Sequence, residues 1–130
     1  MAVAPLEAVK GKRILLVDDD ALVLSVVREM LEADEHRVKT ATNGLEALQQ
    51  IERGSFDLIM TDIRMPGLDG IGLYRAVVSR WPELRDRIMF IATPRDDDAT
   101  RDFLAETAAT YLAKPFGLND LRRVVTQIVR

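Results

Sequence analysis

Phe56-Asp57-Leu58-Ile59-Met60-Thr61-Asp62-Ile63-Arg64-Met65-Pro66-Gly67-Leu68-Asp69-Gly70 decides how the rest of the chain is read. Residues 56–61 are expected to form a strand, and its unbroken apolar centre Leu58-Ile59-Met60 is the pattern of a strand covered on both faces. The strand ends on a carboxylate, Asp62, and Pro66, Gly67 and Gly70 then impose a loop. In α/β proteins the carboxyl ends of buried strands are where ligands and chemistry collect. A carboxylate placed there is a candidate nucleophile toward phosphorus.

The same unit recurs on both sides of this stretch. Further strands are expected at Arg13–Val17, Arg37–Ala41, Ile88–Ala92 and Thr110–Ala113. Helices are expected over residues 21–33, 45–52, 71–80 and 97–107, and a last one carries Leu118, Leu121, Val125 and Ile128 on one face. Asp20 suits the first N-cap, Gly54 a C-cap, and Pro82 a stop. Alternating strands and helices imply a parallel, doubly wound sheet with helices on both faces. Residues 1–12 read as a loose leader before one domain over residues 13–130.

Bulk properties narrow the function classes. The 130 residues are 48% apolar and 30% charged, which suits one globular domain with a hydrophobic core. A net charge of −3 without a long basic run argues against a nucleic-acid surface. Cysteine is absent, which removes disulfides, thiolate metal sites and cysteine nucleophiles and fits a reducing cytoplasm. The first ten residues do not read as a signal peptide, and no apolar run has the length of a membrane span. A cytoplasmic protein without membrane contact is expected.

Val17-Asp18-Asp19-Asp20 ends the first strand as Asp62 ends the third. If those strands are neighbours, their carboxylates share the crevice at the topological switch point. Crowded carboxylates repel, which raises a pKa or calls for a cation. Mg²⁺ suits this all-oxygen set, since the chain has one histidine and no cysteine to favour Zn²⁺. Lys114, ahead of Pro115 at the end of the fifth strand, supplies a cation able to pair with Asp62 and later with phosphoryl oxygens.

With these residues assembled, the chain resembles the receiver domain of two-component response regulators. Its carriers are Ile14-Leu15-Leu16-Val17-Asp18-Asp19, the stretch from Asp57 to Gly70, Asn43-Gly44-Leu45-Glu46-Ala47-Leu48, and Tyr111-Leu112-Ala113-Lys114-Pro115-Phe116. The resemblance implies a flavodoxin-like sheet in the order 2-1-3-4-5 with five helices. It implies that Asp62 accepts a phosphoryl group from a sensor histidine kinase or a histidine phosphotransfer protein. Asp19, Asp62 and the backbone carbonyl of Arg64 would ligate Mg²⁺, with Asp18 orienting water on the ion. Lys114 would bind the phosphoryl group through a site next to a cis Lys114–Pro115 bond, and Tyr111 matches an aromatic switch position. Readout, and a homodimer, would use the face of the fourth helix, fifth strand and fifth helix. Chemistry would be confined to self-phosphorylation and autodephosphorylation at Asp62, in a free-standing regulator or a part of a larger kinase, the leader favouring the former.

One position departs from that pattern. Receivers carry Ser or Thr at the end of the fourth strand, where this chain has Ala92 followed by Thr93. Spacing from Asp62 and from Lys114 both land on Ala92, and a one-residue shift turns a side chain to the other face. Either Ala92 replaces the hydroxyl and weakens output, or a bulge turns Thr93 inward.

Other readings compete. Asp18-Asp19-Asp20 satisfies the Asp-x-Asp signature of haloacid-dehalogenase-like phosphatases, with Asp18 as nucleophile and Asp20 as acid/base. Against that, Ala21-Leu22 follow, and the Asp62 loop is left without a role. A phosphorylation-independent pseudo-receiver is a further alternative, fed by Ala92. Asp96-Asp97-Asp98 reads as favourable charge at a helix start. His36 is expected to be exposed or half-buried.

Overall fold

Ile14, Leu15, Leu16 and Val17 have no exposed surface, so the unbroken apolar run that follows the exposed Arg13 in Arg13–Val17 (β1) fills the middle of a sheet. The computed structural model describes residues 9–93 and 96–129, and the expected leader lies, for residues 1–8, outside the described residues. Ala21–Glu32 (α1), Arg37–Ala41 (β2), Gly44–Arg53 (α2), Leu58–Asp62 (β3), Gly70–Arg80 (α3), Ile88–Ala92 (β4), Asp98–Thr107 (α4), Thr110–Ala113 (β5) and Leu118–Val129 (α5) follow in turn. All strand pairings are parallel and the sheet order is β2-β1-β3-β4-β5, as expected.

Alternation along each strand sorts the core into two layers. Ile14, Leu16, Met60, Met89 and Ile91 face α1 and α5, where Leu24, Val27, Leu31, Leu121 and Val125 close the layer. Leu15, Val17, Ile59, Phe90 and Ala92 face the other way, toward Ala47, Ile51, Leu73, Val77 and Phe103 of α2, α3 and α4. In that second layer Tyr74, Phe90 and Phe103 pack with ring centroids 5.3–5.8 Å apart, two of the pairs edge to face. No described helix is long and apolar enough to cross a membrane.

Several local expectations need correction. β3 begins at Leu58 rather than at residue 56, because the Asp57 carboxylate takes the N–H of Arg13 at 2.8 Å. Phe56 is instead buried in the second layer, with the Arg13 guanidinium over its ring. Pro82 does stop α3, but Pro82–Arg87 continues as a short 3₁₀ segment, a sixth helical piece where five helices were expected. Proline opens it at no loss, lacking an N–H that would be unpaired there anyway. Gly54 closes α2 with its N–H on the Gln50 carbonyl at 3.0 Å, yet its backbone is extended rather than left-handed. The left-handed cap belongs to Ala108, at the end of α4, with φ 51°. On α5 the buried stripe is Leu121, Val125, Thr126 and Val129, one position round from the expected face. His36 is buried, its Nδ1 accepting the Lys12 N–H at 3.1 Å.

Candidate functional site

The register brings the acidic residues together. Val17 pairs with Thr61, so the next residues, Asp18 and Asp62, leave adjacent strands at the same edge. Lys114 joins them because its own N–H reaches the Ala92 carbonyl, 2.9 Å away, at the end of β4. The carboxylates of Asp18, Asp19 and Asp62 each place an oxygen within 4.8 Å of the others. Asp20 stands apart from this group as the expected N-cap of α1, accepting the Leu22 N–H at 2.9 Å.

The loop after β3 is packed tightly against the site. The Gly70 N–H closes it on the Ile63 carbonyl at 2.9 Å. A Cβ on Gly70 would collide with the Asp62 carbonyl oxygen and the Ile63 backbone, which only glycine avoids. Asp69 caps α3 through the Gly72 N–H at 2.8 Å, so the loop is pinned at the helix start as well.

Electrostatics set the carboxylates apart from ordinary ones. Asp18 is 1% exposed; one oxygen accepts the Asp20 N–H at 2.9 Å, and the other, Oδ2, is buried without a hydrogen-bond partner. Burial raises its pKa, against the Asp20 N–H and the Lys114 charge. Asp62 accepts the Ile63 N–H at 2.8 Å. Burial first, and the Asp18 charge second, push Asp62 up to about 6, while the Ile63 N–H and Lys114 pull it down. Three converging carboxylates, one with an orphaned buried oxygen, form an all-oxygen donor set that fits a hard divalent cation such as Mg²⁺. Lys114 pairs with Asp18 at 4.0 Å, rather than with Asp62 as the sequence suggested.

The remaining candidates lie beside this cluster. Ala92 ends β4 in unbroken register, opposite Ala113, and no bulge interrupts Ile88–Ala92. Thr93 follows the strand, its N–H donating to the Asp96 carboxylate at 2.8 Å. Both border a cavity of about 370 Å³ under α4, with Tyr111 on its rim at 52% exposed, more open than a half-buried strand tyrosine. Arg64 sends its side chain toward Asp96, at 3.6 Å. Asp97 caps α4 through the Thr100 N–H at 2.9 Å, as expected for the acidic triplet. Asp96, buried beneath it, was missed; the one sign in the sequence was a triplet longer than a single cap requires.

Residues 14–126 match the model of the response regulator receiver domain. The chain belongs to the receiver family. It is 39% identical over 116 residues to the response regulator receiver protein CpdR of Brucella abortus, covering 85% of this chain and 90% of that one. A protein-glutamate methylesterase/protein-glutamine glutaminase of Nocardioides is 34% identical over 91% of this chain, but the receiver chain spans only 33% of that relative. Among solved structures, the receiver domain of the sensor histidine kinase PA1611 from Pseudomonas aeruginosa superimposes with a TM-score of 0.81 at 29% identity. It covers 92% of this chain and 98% of that one, and carries a magnesium ion coordinated in its active site cleft. Family membership, together with the capping role of Asp20, sets the phosphatase reading aside.

Proposed function

We propose that this receiver domain accepts a phosphoryl group on Asp62 from the phosphohistidine of a sensor histidine kinase or a histidine phosphotransfer protein. A single observation carries the reading: Asp18, Asp19 and Asp62 converge within 4.8 Å with Lys114 beside them. In the transfer, an Asp62 carboxylate oxygen forms a bond to phosphorus as the phosphorus–nitrogen bond breaks. The imidazole leaves with that electron pair and takes up a proton. Asp19, Asp62 and the Arg64 backbone carbonyl would hold Mg²⁺, with Asp18 behind them, and the ion supplies positive charge beside the phosphoryl oxygens. Lys114 stands ready to move from Asp18 onto those oxygens.

The new aspartyl phosphate biases a pre-existing equilibrium of the face built from α4, β5 and α5, where Tyr111 is exposed. Ala92 offers no hydroxyl to follow the phosphoryl group, which is the observation favouring the second reading, a pseudo-receiver. The deciding experiment is incubation with acetyl phosphate and Mg²⁺, read by intact mass. The wild type is expected to gain one phosphoryl group and Asp62→Asn none. No gain in the wild type across Mg²⁺ levels supports the pseudo-receiver instead.

A further inference from the structure

Asp96 is a buried carboxylate that joins two segments flanking the site. Its Oδ2 accepts the Thr93 N–H at 2.8 Å, and its own N–H donates to the Thr93 carbonyl at 3.1 Å. Its Oδ1 faces the Arg64 Nε at 3.6 Å, beyond hydrogen-bond range. The pair is asymmetric, since the Asp96 side chain is 5% exposed and that of Arg64 is 58% exposed. Arg64 lies two residues after Asp62, on the loop that Gly70 closes. Asp96 immediately precedes Asp97, the N-cap of α4.

We propose that phosphorylation reaches α4 by an exchange of partners, Arg64 leaving Asp96 for the phosphoryl group on Asp62. The inference rests on Asp62 being the phosphoacceptor. A phosphoryl group brings nearly two negative charges and three acceptor oxygens, which a guanidinium fork matches better than it matches a carboxylate held out of hydrogen-bond range. Once Arg64 leaves, the Asp96 carboxylate stays buried with the Thr93 N–H but without that counter-charge, next to Asp97 and Asp98. Relief comes from moving Asp96 and the first turn of α4. The cavity of about 370 Å³ bordered by Thr93, Asp96, Leu104 and Tyr111 gives that movement room. This route needs no hydroxyl at position 92, and so accounts for how a receiver with Ala92 can still inform its output face.

The test follows backbone amides of Thr93, Asp96, Asp97 and Thr100 and the Arg64 Nε–H by NMR, before and after acetyl phosphate and Mg²⁺, reading the phosphorylated fraction. In the wild type all of these resonances are expected to move. In Arg64→Gln the α4 amides should be displaced before any phosphodonor is added, as for a switch already thrown, whereas Asp96→Asn, with no buried charge to strand, should keep them near their wild-type positions; both variants should respond at least about threefold less to the donor. Arg64→Lys, which keeps the charge, should restore part of the response. Wild-type-sized α4 responses in both Asp96→Asn and Arg64→Gln would overturn the exchange while leaving Asp62 as phosphoacceptor. A wild type that gains no mass would overturn the phosphoacceptor reading, and the exchange with it.

Discussion

The Nζ of Lys114 stands 4.0 Å from Oδ2 of Asp18, the buried oxygen that has no hydrogen-bond partner. An ammonium on a flexible stem thus guards the most deeply buried carboxylate of the site while its field also lowers the pKa of Asp62. That arrangement explains how three carboxylates can crowd together in the folded chain. It also leaves the lysine one short movement away from any anion that forms on Asp62.

Replacing Lys114 with methionine keeps the stem and removes the charge. Asp62 should then titrate above its value of about 6, because one of the groups lowering it is gone. Phosphorylation by acetyl phosphate should slow by about a hundredfold or more, the usual scale for losing one preorganised electrostatic group. Carbon-detected NMR of the Asp62 carboxyl and a mass time course check the two effects.

Burial also makes the site a source of instability when no cation is bound. Asp62 holds its proton more tightly folded than unfolded between 3.8 and about 6. Stability should therefore fall as pH rises through that window, since the unfolded chain binds fewer protons there. In chelator, Asp62→Asn should be about 1–2 kcal/mol more stable than the wild type at neutral pH, with the gap closing below pH ~4. Urea melts at both pH values measure it. Added Mg²⁺ should stabilise the wild type and do so less in the variant.

Gly70→Ala tests the tight seat of the loop. The new Cβ meets backbone atoms of Asp62 and Ile63, which cannot rotate away. A loss of about 1–3 kcal/mol is expected from such overpacking, with weaker Mg²⁺ binding because the carboxylate-bearing loop must shift. Denaturant melts and metal titration report the two separately.

Far from the site, Arg122 grips Asp34 with two hydrogen bonds of 2.8 Å across the α1–α5 layer. The guanidinium holds the Asp34 carboxyl below the usual carboxylate range. Its contribution is fully present above the ordinary carboxylate pKa and is lost as pH falls through the lowered folded value. Arg122→Ala should lower the urea midpoint at neutral pH and flatten the acid limb of the stability curve. Phosphorylation at Asp62 should be unaffected.

Ala92→Thr asks whether a hydroxyl at the end of β4 was the missing element. The side chain would enter the space beside the cavity under α4, so the stability change should stay within about 1 kcal/mol. Phosphate lifetime and the response of Tyr111 to phosphorylation should both change. If neither moves, Ala92 does not limit output.

Apolar runs and acidic strand ends made the parallel sheet, the carboxylates of Asp18, Asp19 and Asp62, and Lys114 legible in the sequence. These are short-range signals: continuous hydrophobicity marks a strand covered on both faces, and a charge at its end has to meet solvent or a counter-ion. Smaller features escaped because their cause lies elsewhere in the fold. The start of β3 depends on Asp57 taking the Arg13 N–H, and the left-handed end of α4 falls on Ala108, where no glycine announces it. Only the tertiary structure decided that Lys114 pairs with Asp18, that His36 is buried, and that Asp96 sits between Thr93 and Arg64. Residue types and their periods along one chain determine which groups reach the carboxyl edge of the sheet. Which of those groups touch is set by the register of strands far apart in sequence, and by how much water their packing excludes.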